Sequence, residues 1–180
     1  MIRLSQNGPM NACEFLPRTA AGMALPALGD PWEDLVSSLG CALRVDWAFL
    51  GHLSSDQDVV RTWAAWHRGK MVPNFAYRFE RIPEDDDALS RDIWFYSNSV
   101  QERLPNAWLK KVRAQAFGRA SLLDSLGHTR AILAVAHTQP LEPANLVEAV
   151  LRMFALRAAT ELERGLPDEY LIRELRVTTQ

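Results

Sequence analysis

The chain has 180 residues, 20 Lys and Arg against 22 Asp and Glu, and a formal net charge of −2. So even a balance lacks the basic excess needed to neutralise nucleic-acid phosphates, and no direct nucleic-acid partner is expected. Arg, Asp, Glu or His interrupts every apolar run short of the roughly 20 residues of a membrane-crossing helix, and two cysteines, Cys13 and Cys41, cannot supply a multi-disulfide framework or a four-thiolate zinc site.

Residues 1–29 mix Asn7-Gly8-Pro9, Pro17, Gly22, Pro26 and Gly29 with small apolar residues. No helical or alternating period survives these breakers, so the segment reads as an N-terminal extension. It shows no uninterrupted apolar run of the secretory type, and the expected location is the cytoplasm. A helix start follows: Asp30 suits an N-cap, Pro31 the first helical position, and Glu33 the capping-box spacing. Trp32, Leu35, Val36, Leu39, Ala42 and Leu43 then recur at helical spacing and define one apolar face.

The period changes to two in Val-Asp-Trp-Ala-Phe-Leu-Gly-His-Leu, residues 45–53, which reads as a strand with Val45, Trp47, Phe49 and Leu53 on one face. Residues 54–58 are polar and turn-forming, and 59–67 alternate again, so an antiparallel hairpin is expected. A turn near Asp56 would set His52 opposite Val60 and His67 opposite Val45, several rows apart, which is no metal pair. Residues 70–115 are less regular. They hold three prolines, the carboxylate run Glu84 to Asp87, a short aromatic strand at 93–96 and short helices near 100–104 and 106–113, and they imply a long crossing segment. A second hairpin joins 116–123 to 129–137. Residues 142–164 are helical in period, with Gly165 and Pro167 as the stop, and 165–180 form a tail with room for one short helix. The order of elements predicts an α+β domain over residues 30–164, an antiparallel sheet with the terminal helices on one face and the crossing segment on the other.

From about Pro31 to Arg164, some three quarters of the chain, the sequence resembles a GAF domain, a small-molecule sensory module. The resembling segments are residues 45–53, the continuation Val60 to Phe79, Val-Gln-Glu-Arg-Leu-Pro at 100–105, and the run from Leu133 to Arg164. The resemblance implies a PAS/profilin-like fold and a sensory role. Where family members carry a Gly-Val-Pro-Leu-like run in the penultimate strand, this chain has Arg119-Ala120-Ser121-Leu122, and Ile82-Pro83-Glu84 stands where a Thr-Pro-Cys segment is found. No Asp-Ile-Pro run with a chromophore-attaching cysteine is present, nor a cyclic-nucleotide pattern, so neither ligand class is expected. Methionine-sulfoxide-reducing relatives need several cysteines near the pocket, which places thiol redox catalysis behind a non-enzymatic reading. No cofactor is indicated by any residue pattern.

A cleft of the kind the resemblance implies would be lined by Trp63, Phe75, Tyr77, Trp94 and Arg119, residues equally suited to core packing. Arg119 and His137 stand out because both fall within apolar strands, where a charge needs a partner or a polar pocket. The Glu84 to Asp87 run lacks the Asp/Asn alternation and glycine of a calcium loop, and it reads as a solvated loop. No metal site is expected.

On the last helix Val147, Leu151, Phe154, Ala158 and Leu162 make one apolar face, and Leu146, Ala149, Met153 and Leu156 a second stripe. A helix lying on a sheet needs only the first. At roughly 25 cal/mol per Å², four wet apolar side chains forfeit several kcal/mol, so the second stripe predicts a homodimer, with covering by the chain's own extensions as the alternative. No kinase, cyclase or helix-turn-helix pattern follows residue 164, and the expected output is a separate signalling protein. A degenerate domain serving only as an interaction scaffold is the rival expectation.

Overall fold

A computed structural model describes residues 30–54, 59–79, 93–123 and 127–164. The N-terminal extension, the Glu84 to Asp87 run, the residues after Arg164 and Cys13 lie outside the described residues. Helix α1 spans Pro31–Leu43. Its first turn is closed as the sequence indicates, with the Asp30 carboxylate accepting from the Trp32 N–H at 2.8 Å and Pro31 at the position where a missing N–H costs nothing. All six residues of its expected apolar face are buried.

Strands β1 (Trp47–Leu53) and β2 (Val59–His67) form the first hairpin, followed by β3 (Lys70–Met71) and β4 (Ala76–Arg78). After β5 (Ile93–Tyr96) come the short helices α2 (Val100–Arg103) and α3 (Ala107–Lys111). Strands β6 (Ala116–Leu123) and β7 (Thr129–His137) make the second hairpin, and α4 (Ala144–Glu163) closes the domain. The seven strands form one antiparallel sheet in the order β3-β2-β1-β7-β6-β5, with β4 also on the outer edge of β2. Strands β3 and β4 were not among the expected elements: two and three residues long, they are too short to show a period and exist only as hydrogen-bonded additions to β2.

The sheet separates two apolar layers. On one side α1 and α4 pack on each other and on Ala48, Leu50, Ala120, Leu122, Leu133 and Val135. On the other, Val100 and Leu104 with Leu109 cover Phe49, Phe117, Ile132 and Ala134. This is the expected α+β arrangement, terminal helices on one face and crossing segment on the other.

A β-bulge decides which way the second strand points its side chains. Ala64 pairs with Leu50 but Thr62 with Gly51, leaving Trp63 as the extra residue. An extra residue reverses the alternation beyond it. Trp63, at odd spacing from Val60 and so opposite the face that Val60 shares with Tyr77, lies on the helical side with its ring 5.8 Å from Trp32 and stacked on His52, and the bulge brings Ala64 and Trp66 to that side with it; the expectation that Trp63 lines a cleft with Tyr77 is corrected. The hairpin register is one residue off the expected one at His52, which faces Arg61 rather than Val60, and the bulge adds one more, so that His67 faces Trp47 rather than Val45. The two imidazoles remain well apart, and among the described residues no three His, Cys, Asp or Glu side chains converge.

Candidate functional site

On the face away from the terminal helices a cleft opens between the β5–β6 edge and the crossing segment. Its floor follows from strand register. Trp94 pairs with Arg119 and Tyr96 with Phe117, so these four side chains share one face. Strand β4 adds Tyr77, and Phe79 follows it. The roof is Leu104, Asn106 and Leu109. Asn106 sets that roof in place. Its side-chain oxygen accepts from the N–H groups of Trp108 (2.9 Å) and Leu109 (3.1 Å), capping α3, while its amide donates to the Arg78 carbonyl at 3.0 Å and ties the helix to β4. The cleft measures about 430 Å³ out to its mouth, and its tight interior about 30 Å³, room for one or two waters.

Arg119 is the only charged residue among the described lining of the cleft, and it is 5% exposed. Its guanidinium lies 4.5 Å from the ring centroid of Phe79 and 5.6 Å from that of Trp94, geometry in which the ring quadrupoles stabilise a cation. Burial lowers its pKa, opposed by the nearby Tyr77 and Tyr96, but an arginine starts so high that it stays protonated at neutral pH. Burial pushes the Tyr77 phenol well above its usual range, against a smaller opposite pull from Arg119, so Tyr77 keeps its proton. Its hydroxyl is buried and has no hydrogen-bond partner.

Of the five residues expected to line such a cleft, Tyr77, Trp94 and Arg119 are brought together at it. Phe75 is on the same side but outside it, stacked on Trp108 at 5.3 Å and edge-on to Phe49. Trp63 is on the other side of the sheet. Tyr96 and Phe117 were missed although each stands two residues from a candidate, Trp94 and Arg119, and so shares its face. Phe79, Leu104, Asn106 and Leu109 carry no such local signal.

A second polar cluster was also missed. Asp46, just ahead of β1, accepts from Arg68 Nε at 2.6 Å and from the Thr138 backbone N–H (2.8 Å) and hydroxyl (2.6 Å), with His137 Nδ1 at 3.0 Å. His137 is thus a neighbour of a carboxylate at the end of β7 and has no part in the cleft. Burial works to raise the Asp46 pKa, but the hydrogen bonds from Arg68 and Thr138 and the proximity of His137 outweigh it and hold the carboxyl at about 2.

On α4, Val147, Leu151, Phe154 and Ala158 are buried as expected, and Leu162 packs against the same core. Of the second stripe, Leu146 is turned partly into the chain's own helical core, which removes it from the free stripe. Ala149 is exposed, Met153 is 36% exposed and Leu156 66%.

No family model and no curated protein matches the chain. Solved structures do. The chromophore-binding domain of an unusual bacteriophytochrome from R. palustris is 11% identical with a TM-score of 0.60, over 87% of this chain and 64% of that one. The chromophore-binding domain of a Stigmatella aurantiaca bacteriophytochrome is 12% identical with a TM-score of 0.62, over 84% of this chain and 60% of that one. For the photosensory core module of Stigmatella aurantiaca phytochrome the figures are 12% and 0.64, over 89% and 38%. The chain thus spans about three fifths of the chromophore-binding structures it resembles. At such identities the likeness is one of fold. It is the fold of phytochrome modules that contain GAF domains, so the GAF resemblance rests on structure.

Proposed function

We propose that this chain is a non-enzymatic, GAF-like sensory domain of the cytoplasm. A small molecule in the cleft would bias the placement of the terminal helices and so the output of a separate partner protein. The observation that carries the reading is the cleft itself: a buried cation and an unpartnered phenol in an aromatic recess, on the sheet face opposite α1 and α4. Groups of this kind are costly in a plain core and useful in a binding site. The solved relatives are named for chromophore binding, but this chain lacks the cysteine run by which the sequence would mark a covalently held bilin, so a non-covalent ligand is the reading here. Native mass spectrometry of the purified protein tests it. A retained small molecule that leaves on unfolding is expected, and a bare polypeptide mass, together with no thermal shift from any metabolite class, would overturn it.

The homodimer belongs to the same proposal. It is supported by Ala149, Met153 and Leu156, an exposed apolar stripe on a helix whose opposite face already fills the core. Met153→Glu/Leu156→Glu is expected to halve the mass found by sedimentation without unfolding the domain. An unchanged mass would remove this stripe from the interface. The scaffold reading is favoured by one observation, the small interior of the cleft, about 30 Å³; a ligand must displace aromatic rings to enter.

A further inference from the structure

Beside the cleft, and outside its lining, four aromatic rings form a patch that the fold leaves only partly buried. Trp47 opens β1, His67 ends β2, Phe75 precedes β4 and Trp108 stands on α3. Trp47 stacks on His67 at 4.0 Å between ring centroids and Phe75 on Trp108 at 5.3 Å, while Trp47 meets Trp108 edge-on at 5.5 Å. Val72 and Val112, also partly buried, pack against the same layer. The rim is basic. Lys70 pairs with His67 across β3 and β2 and so shares its face, and Lys111 follows Trp108 by three residues on α3, on the same side of the helix. Lys110 and Arg113 are exposed at the same helix end. Residues 68–79 carry three Lys and Arg and residues 103–115 four, with no Asp or Glu in either stretch. Among the described residues, Lys70, Lys110, Lys111 and Arg113 have no ion-pair partner, and the Asp46 carboxylate, one residue from Trp47, is already taken by Arg68 and Thr138. A chain of net charge −2 thus has a surface here that is both apolar and positive, and its complement carries negative charge.

We propose that this patch docks an acidic segment of another protein, one apolar side chain of the segment lying against Trp47 and Trp108 and its carboxylates meeting Lys70 and Lys111. The rings choose among negatively charged partners. Bases of a nucleic acid stack on free ring faces, whereas the faces of Trp47 and Trp108 are occupied by His67 and Phe75. A bilayer takes up aromatics that stand out from the surface, and these are sunk into it. A polypeptide needs only ring edges for an apolar anchor and cations at the rim for its charges. The probes are the capped peptide Glu-Asp-Glu-Leu-Glu-Asp-Glu and its counterpart with Gln and Asn for Glu and Asp, titrated against the full chain by tryptophan fluorescence. The acidic peptide is expected to bind about tenfold more tightly at low salt, and to lose that preference in about 1 M salt, where the screening length is about 3 Å. Replacing its Leu by Gly is expected to weaken it about fivefold. Lys70→Glu/Lys111→Glu changes two exposed side chains, so the Tm is expected to hold while the acidic peptide weakens about tenfold. Equal binding of the two peptides, no binding of either, or an affinity indifferent to the charge reversal overturns the proposal. So does tighter binding of oligothymidylate or phosphatidylserine vesicles that the same charge reversal abolishes. None of these outcomes bears on whether the cleft holds a small molecule, which native mass spectrometry decides separately.

Discussion

Asp46→Asn is expected to lower the stability of the domain by about 2 kcal/mol at neutral pH, and that loss is expected to shrink as the solution is acidified. The carboxylate ties together three parts of the fold far apart in sequence: the corner between α1 and β1, the Arg68 turn after β2 and the end of β7 at Thr138. In the folded state it titrates at about 2 rather than 3.8, and a drop of that size corresponds to about 2 kcal/mol of preference for the ionised form. Since the folded pKa lies below the unfolded one, the contribution is complete above the unfolded value and is lost as the pH falls through 4 towards 2. Arg68 is 60% exposed on its side chain, so most of the effect is assigned to the part-buried Thr138 bonds. Urea unfolding of wild type and variant at a series of pH values checks this. The difference between them should narrow between pH 5 and pH 2, and a difference independent of pH would remove Asp46 from the account of acid stability.

Gly51→Ala is expected to have an effect at least as large, about 3 kcal/mol or roughly 10 °C in Tm. Gly51 sits in β1 at the bulge, and a Cβ there would stand 2.4 Å from the Arg61 carbonyl oxygen and 2.8 Å from the Thr62 Cα. Those are backbone atoms of a paired strand and have no rotamer by which to withdraw. The strands would have to part, carrying with them the bulge that brings Ala64 and Trp66 to the helical face beside Trp63. Gly118→Ala is the comparison: its Cβ would meet Leu151 Cδ1 at 2.8 Å and Phe95 Cδ2 at 2.9 Å, side-chain atoms that can give. Thermal unfolding should therefore rank Gly51→Ala clearly below Gly118→Ala. The reverse order would show that β1 and β2 can separate at the bulge at little cost.

The two predictions concern the frame, whereas the ligand experiments concern the cleft, and the sheet connects them. Strands β5 and β6 carry cleft residues on one face and pack α4 with the other, through Phe95, Gly118 and Ala120. Displacement of Trp94 or Phe117 by a ligand thus bears on the strands that support α4. This is the physical route by which an occupied cleft would alter the helix whose Met153 and Leu156 are exposed.

Much of this architecture was legible in the residue order. Asp30-Pro31 announced the start of α1, and the two hairpins at 47–67 and 116–137 appeared as changes of period, because capping and alternation are properties of neighbouring residues. The buried stripe of α4 was readable for the same reason, and so was the placing of Arg119 in an apolar strand as a residue in need of explanation. Tertiary structure alone decided the rest. Ala64 and Trp66 share the helical face with Trp63 because a bulge at Trp63 reversed the alternation, and nothing in Thr-Trp-Ala-Ala-Trp says where a bulge will fall. The short strands β3 and β4 exist only by pairing with β2. Asp46 found Thr138 at a separation of 92 residues, and Asn106 reached Arg78 across 28. Local order encodes period and caps; which distant groups meet depends on how the whole sheet twists, pairs and closes, and both the Asp46 cluster and the cleft are built from such meetings.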